Sequence, residues 1–422
     1  MSTTVVTTEP SAEAGLFAFY RPLDRKGRRA FWACTGGFAM DAMDFMIFPL
    51  VIGTLIAVWN IDRPTAGGIA TVTLWSSAIG GWAAGILADR IGRVRTMQLT
   101  ILCFSVGSLL SALAQDATQL TIYRALLGFG FGGEAAVASV CLSEIVGAKY
   151  RGRAMGAYAA SYAVGWAAAV LLQAVIFSML PPETAWRALF AVGALPALLI
   201  LFIRRNVEEP SIAASARESG AAPSPFGVLM PDMLLSTLKG SLLTIGAQGG
   251  FYALMVWLPQ FLRAERKISI IGSTPYLLIL ILGAFVGYLT GGWLADRFGR
   301  RFVFIGASIC AASLAYGYTH AEFSENLLLF LGFPLGFFAC AYYSAVLPFL
   351  NELYPTRYRA AGVGFTYNAG RAVGGLFPFL VGVVSAHMSL GDAISLFAAL
   401  SYGLMLVVAL TLHETKGTAL QS

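Results

Sequence analysis

Twelve apolar stretches follow one another along the chain, separated by short breaks of charge, proline and glycine. They fall at about 30–58, 66–88, 96–114, 119–146, 153–179 and 186–203, and then at about 236–262, 271–295, 302–320, 326–353, 361–387 and 391–412. A helix needs about 20 apolar residues to cross the hydrocarbon core of a bilayer, and the stretches are of that order. The pattern therefore predicts an all-α membrane protein of twelve transmembrane helices with short connections. The long polar connection, rich in Ser, Ala, Pro and charge (Glu208, Glu209, Pro210, Pro223, Pro225), lies between the sixth and seventh stretches and reads as a linker. The expected organisation is a tail over 1–29, a six-helix bundle over 30–203, a linker over 204–235, a second six-helix bundle over 236–412 and a tail over 413–422.

Composition removes the alternatives. Of 422 residues, 57% are hydrophobic and 12% charged, with a mean hydropathy of +0.72. This excludes a soluble enzyme, a secreted disulfide scaffold, a nucleic-acid binder and a disordered chain. The net charge of +6 records topology. With the N-terminus inside, Arg21, Arg25, Lys26, Arg28, Arg29, Arg90, Arg93, Arg95, Lys149, Arg151, Arg153, Arg297, Arg300, Arg301, Arg357, Arg359 and Lys416 fall on the cytoplasmic side. Arg63, Arg187, Arg263, Arg266 and Lys267 fall outside. A multi-pass protein of the cell (inner) membrane with both termini cytoplasmic is expected. Residues 1–19 read as a disordered tail. The first apolar run is too long and too far in for a cleaved signal peptide. Cys34, Cys103, Cys141, Cys310 and Cys340 lie in apolar stretches without metal-ligand spacing, so neither a disulfide nor a metal site is expected.

The two halves repeat each other. Gly81-Trp-Ala-Ala-Gly85-Ile-Leu-Ala-Asp89-Arg90-Ile-Gly92-Arg93 recurs as Tyr288-Leu-Thr-Gly291-Gly292-Trp-Leu-Ala-Asp296-Arg297-Phe-Gly299-Arg300. Glu144, Tyr150, Arg151 and Gly156 recur as Glu352, Tyr358, Arg359 and Gly364 at nearly the same offset. Two motifs repeating at one spacing mean a duplicated six-helix unit, the design of carriers whose halves rock about a central site.

With these loops, and with the run Arg124-x-x-x-Gly128-x-Gly130-x-Gly132-Gly133-Glu134, the chain from about 30 to 412 resembles the major facilitator superfamily. The Asp41-Ala-Met-Asp44 pair, the Gly-Gly-Glu of span four and Gly370-Arg371-Ala-Val-Gly374-Gly375-Leu-Phe-Pro378 resemble its organic-acid:proton symporters, in the aromatic-acid, sialate and monocarboxylate branches. The resemblance implies alternating access, with Asp89, Arg90, Arg93, Glu144, Arg151, Asp296, Arg297, Arg300, Glu352 and Arg359 as cytoplasmic gate residues rather than ligands. It also implies that Arg124 faces a span-one aspartate as a proton-coupling pair. Gly332 stands at the corresponding place in the second half, so that pair is not duplicated.

An ionisable side chain is costly in the hydrocarbon core, and each one there is a functional candidate. Asp41 and Asp44 lie one helical turn apart on a shared face, roughly 18 and 22 Å in from Arg29 at 1.5 Å per residue. Glu134 lies about 15 Å deep on the same reckoning, and Arg371 reaches a similar depth. The acids Asp41, Asp44 and Glu134, with Arg124, are read as the proton-coupling set. A guanidinium keeps its charge and grips a carboxylate through two parallel hydrogen bonds, so Arg371 is read as the substrate clamp, helped by Asn368 one turn before it. The alternative for Arg371 is a plain ion pair with Asp41 or Glu134, and for Arg124 a fixed bridge between spans one and four. Gln173, Gln248, Tyr252, Tyr276, Tyr342 or Tyr343, and Trp257 are further pocket candidates.

The reading is a carrier, not an enzyme. It imports a small organic anion (a monocarboxylate, aromatic or sugar acid) together with protons, as a monomer in the lipid bilayer. H⁺ is the coupling ion, and no other cofactor and no nucleic acid is involved. The nearest rival is a sugar or polyol:proton symporter, whose neutral substrate would leave Arg371 without a task. A drug or metabolite antiporter fits less well, because span five around Gly165-Trp166 lacks the Gly-Pro pair of such exporters.

Overall fold

The computed structural model describes residues 17–146, 151–195, 230–320, 324–355 and 359–415, excepting the side chains of 88–90, 93–94, 133–141, 143–144, 151–152 and 359–361. A short 3₁₀ turn, Ala18–Tyr20, leads into α1 (Arg25–Trp59), α2 (Arg63–Ile91), α3 (Arg93–Leu113), α4 (Ala117–Ile145), α5 (Arg151–Met179) and α6 (Pro182–Val192). The second half is α7 (Pro231–Ala264), α8 (Thr274–Phe298), α9 (Arg300–His320), α10 (Glu325–Ala341), α11 (Tyr343–Leu353), α12 (Arg359–Gly374), α13 (Phe377–Val384) and α14 (Leu390–Thr411). The pairs α10/α11 and α12/α13 each continue one rod across a break, so the described helices occupy the twelve expected span positions. Most of the expected linker, up to residue 229, lies outside the described residues, and α7 begins at Pro231, ahead of the expected 236.

The tail read as disordered up to residue 19 is instead packed from residue 18. Phe19 is buried against Phe31, with ring centroids 5.3 Å apart, and Trp32 Nε1 donates to the Tyr20 hydroxyl at 3.0 Å. Two aromatic anchors thus hold the approach to α1, where Asp24 accepts the Gly27 amide at 2.7 Å and caps the helix. Apolar periodicity does not register so short a segment. The repeated loop motif is built the same way twice: Gly92 and Gly299 adopt φ of 103° and 105°, turning the chain between α2 and α3 and again between α8 and α9. A side chain would strain that conformation.

Packing repeats as well. In the first half α2 lies along α4 and α1 along α5; in the second, α8 lies along α10 and α7 along α12. The α2–α4 contact is a small-residue contact, since a Cβ added at Gly132 would sit 1.7 Å from the Ser77 carbonyl oxygen. Between the halves, α5 packs on α8, α2 on α12 and α13, and α1 on α7. A core of buried apolar residues runs through both halves. Leu113, Ile122 and Val407 are 60–61% exposed on the outside of this bundle. Large aliphatic residues displayed on long apolar helices fit a hydrocarbon surround, so this is a multi-pass membrane protein.

Candidate functional site

The span-one acids are buried in the helix pack, with Asp41 and Asp44 each 1% exposed. Asp44 is gripped from two neighbouring helices. Ser108 of α3 forms a hydrogen bond with the Asp44 carboxylate, and its hydroxyl also lies 2.9 Å from the Phe190 carbonyl of α6. Arg124 of α4, 1% exposed, lies over the rings of Phe48 and Phe190 at 5.4 and 5.7 Å and acts on Asp44 as the nearby opposite charge. Its Nε and Nη1 have no hydrogen-bond partner among the described residues. Arg124 and Asp44 thus belong to one buried cluster around Phe190, without an ion pair between them among the described residues. Gly193, which follows α6, completes it, because a Cβ there would come within 2.0 Å of the Asp44 carboxylate and 2.4 Å of Ser108 Oγ. The Glu134 side chain lies outside the described residues.

Arg371, 4% exposed, sits on α12 and reaches across into the first half. Its Nη1 donates to Ser77 Oγ of α2 at 2.9 Å, and its guanidinium lies 5.3 Å over Phe131 of α4 and 5.4 Å over Tyr367 of its own helix. Each ring contact contributes about 1 kcal/mol to holding the cation. Among the described residues its Nε has no hydrogen-bond partner and no carboxylate stands within ion-pair distance of it. Phe131 stacks on Phe45 of α1 at 4.9 Å and an interplanar angle of 10°, and Phe45 is 6.5 Å from Tyr252 of α7. Both halves thus surround Arg371 with rings. Tyr252 donates to Gln248 Oε1 at 3.1 Å, and Gln248 Nε2 donates to the Tyr367 carbonyl at 2.8 Å. This places two of the expected pocket residues beside the cation.

Other expected pocket residues are engaged in holding helices together. Gln173 donates to the Leu50 carbonyl at 2.8 Å, Tyr342 to the Ala247 carbonyl at 2.7 Å and Trp257 to the Pro378 carbonyl at 2.9 Å. Tyr276 points to the Glu325 carbonyl at 3.5 Å, near the start of α8. Asn368 bonds back to the Gly364 carbonyl of its own helix at 2.9 Å and faces Gly81. Tyr343 packs among Phe251 and Tyr288. Ser77, Phe45, Phe131, Ser108 and Gly193 were not singled out from the sequence. Tyr367 was not singled out either, although its place four residues before Arg371 makes it a helical neighbour.

At the end of the bundle away from the termini the halves are closed on each other. Arg263 of α7 donates to the Leu50 carbonyl of α1, Gln260 presses on Gly53, and Arg63 of α2 donates to the Ser385 carbonyl at 3.1 Å. Hydrogen bonds from the Thr65 hydroxyl and amide hold the adjoining Asp62 carboxyl below the ordinary carboxylate range. Arg263 thus has a task between helices. At the terminus side, Arg300 binds Asp296 at 2.9 Å and Glu352 at 3.1 Å, and Arg297 lies over Trp293 and Phe298. Glu414 accepts from the Arg300 and Arg301 amides at 2.9 and 3.1 Å, and Thr415 bonds to Glu352. The ion pairs join the ends of α8, α9 and α11 within one half. The side chains of Asp89, Arg90, Arg93, Glu144, Arg151 and Arg359 lie outside the described residues.

A duplicated six-helix bundle with buried charge where its halves meet defines a membrane carrier. The family model of the Major Facilitator Superfamily matches residues 33–291 and 241–421, and the chain belongs to that family. It is 37% identical over 408 residues to a probable 4-methylmuconolactone transporter of Cupriavidus pinatubonensis, covering 96% of this chain and 95% of that protein. It is 33% identical over 392 residues to a putative niacin/nicotinamide transporter of Bacillus subtilis, covering 91% and 96%. The structure of a proton:xylose symporter, XylE, superposes with a TM-score of 0.74 at 17% identity, covering 93% of this chain and 97% of that one. The chain is a transporter, not an enzyme.

Proposed function

We propose that this transporter imports a small organic acid anion together with protons by alternating access. The observation that carries the reading is Arg371: a cation buried between the two halves, with an Nε that has no partner among the described residues and aromatic walls on both sides. A bound carboxylate would take the free N–H and neutralise the charge, and a flat unsaturated or aromatic body would lie against Phe45, Phe131 and Tyr252. The relatives named for 4-methylmuconolactone and niacin support a cyclic acid of this size. Asp41 and Asp44 supply buried groups able to take up and release protons, with Arg124 as the opposing charge. The terminus side, where most described cations gather, faces the cytoplasm of the cell inner membrane.

A sugar or polyol symporter would share the fold but would bury Arg371 without a compensating anion among the described residues, at a cost of several kcal/mol. Purified protein in proteoliposomes decides between them. An inward proton gradient should drive accumulation of nicotinate or a similar aromatic carboxylate, and Arg371→Ala should abolish its binding. Unchanged binding in that variant, or accumulation of pentoses in place of carboxylates, would remove the reading.

A further inference from the structure

The hydrogen-bond count around Ser108 does not balance if Asp44 is ionised. A serine hydroxyl carries one proton and two acceptor lone pairs. Ser108 Oγ lies within hydrogen-bond reach of two oxygens, the Asp44 carboxylate and the Phe190 carbonyl. A carbonyl is only an acceptor, and so is an ionised carboxylate, so one hydroxyl proton cannot serve both. The two contacts are satisfied together only when Asp44 carries a proton: Asp44 then donates to Ser108, and Ser108 donates to Phe190.

The Phe190 carbonyl needs that bond. It belongs to the last turn of α6, where the Ala194 amide turns to the Ala191 carbonyl at 3.1 Å and the Gly193 amide goes to Leu189 at 3.3 Å. Phe190 is thereby left without the partner that a continuing helix would give it, and a buried carbonyl so orphaned is destabilising. When Asp44 loses its proton, the Ser108 hydroxyl must turn to the carboxylate and release Phe190. The charged group facing Asp44 from α4 is Arg124, which also lies over the Phe190 ring. Asp41 is one turn away on the same helix. Arg187 of α6 is tied to the Ala112 carbonyl at 3.0 Å.

We propose that Ser108 is a positioning residue of the coupling site: it reads the protonation of Asp44 and relays it from α1 to the broken end of α6. This rests on the proton-coupled reading above and adds the route by which the proton reaches the helices. Loss of the proton frees the α6 end to move relative to α1 and α3, and proton binding locks the three together as they stand in this structure.

Two measurements test it. Infrared difference spectra of the purified protein, recorded over pH without substrate, should contain a protonated-carboxyl band that vanishes in Asp44→Asn and shifts in Ser108→Ala. An Asp44 band unmoved in Ser108→Ala, or no such band at any pH where the protein stays folded, overturns the relay. In proteoliposomes, Ser108→Ala should keep nicotinate exchange while lowering gradient-driven accumulation about tenfold, the worth of one hydrogen bond to a charged group, and Ser108→Thr should restore it. Exchange and accumulation falling together in Ser108→Ala, or both staying normal, also overturns it. If wild-type protein itself exchanges nicotinate without accumulating it, the coupled-transport reading has failed. The infrared result stands apart from that outcome.

Discussion

The two halves repeat each other at the ends of their helices and differ inside the membrane. Both carry the same glycine turn, at Gly92 and Gly299, and both pack their second helix along their fourth. Within the bilayer, however, the first half holds Asp41, Asp44 and Arg124, whereas the second holds Arg371 and has Gly332 at the position corresponding to Arg124. The acids described in the second half, such as Asp296 and Glu352, sit at helix ends, paired to Arg300. Duplication preserved the frame, whose close helix contacts at Gly132 and Gly336 leave no room for a larger side chain in either half. The costly buried charges diverged, one half carrying two acids with an arginine and the other, among the described residues, an arginine alone.

That division can be broken at four places, in decreasing order of expected effect. Arg371→Ala should weaken binding of an aromatic carboxylate by about 100-fold or more, read by calorimetry or by a ligand-induced thermal shift, because one member of a buried charged contact is removed. An affinity within a few-fold of wild type would place the anion elsewhere. Asp44→Asn should end gradient-driven accumulation while exchange continues, and full accumulation in this variant would move the coupling proton out of the first half. Gly193→Ala should destabilise the detergent-solubilised protein by about 1–3 kcal/mol, seen as a lower Tm, since the new methyl would press on both Asp44 and Ser108. An unchanged Tm would mean that the α6 end is looser than described. Arg263→Ala removes the hydrogen bond from α7 to the Leu50 carbonyl and should raise thiol labelling of a cysteine placed at Gly53 a few-fold, by opening the end away from the termini. Labelling that does not change would leave closure to the packing of α2 on α13.

The frame was legible because its signals are local. Apolar length gives the spans, and two motifs at one offset give the duplication. The depth of Asp44 and Arg371 follows from counting residues along a helix. The expectation that Arg124 faces a span-one aspartate came from the family motif; the structure places Arg124 and Asp44 around Phe190 without an ion pair between them among the described residues. Gln173, Tyr342 and Trp257 show where such reading stops. Their polar atoms were equally available to a pocket or to a backbone carbonyl on a neighbouring helix, and only helix rotation decides which. Phe19 was missed because three ordered residues leave no periodic trace.

The sequence by itself determined that this chain is a duplicated membrane carrier and which of its helices carry charge into the bilayer, because length, hydrophobicity and motif spacing are properties of single segments. Tertiary structure decided what those charges meet. Ser77 and Phe131 receive Arg371 from the other half, and Ser108 and Gly193 shape the surroundings of Asp44 from helices far along the chain. The reason is physical: a hydrogen bond acts over about 3 Å, and which side chains come that close depends on how twelve rods turn against one another.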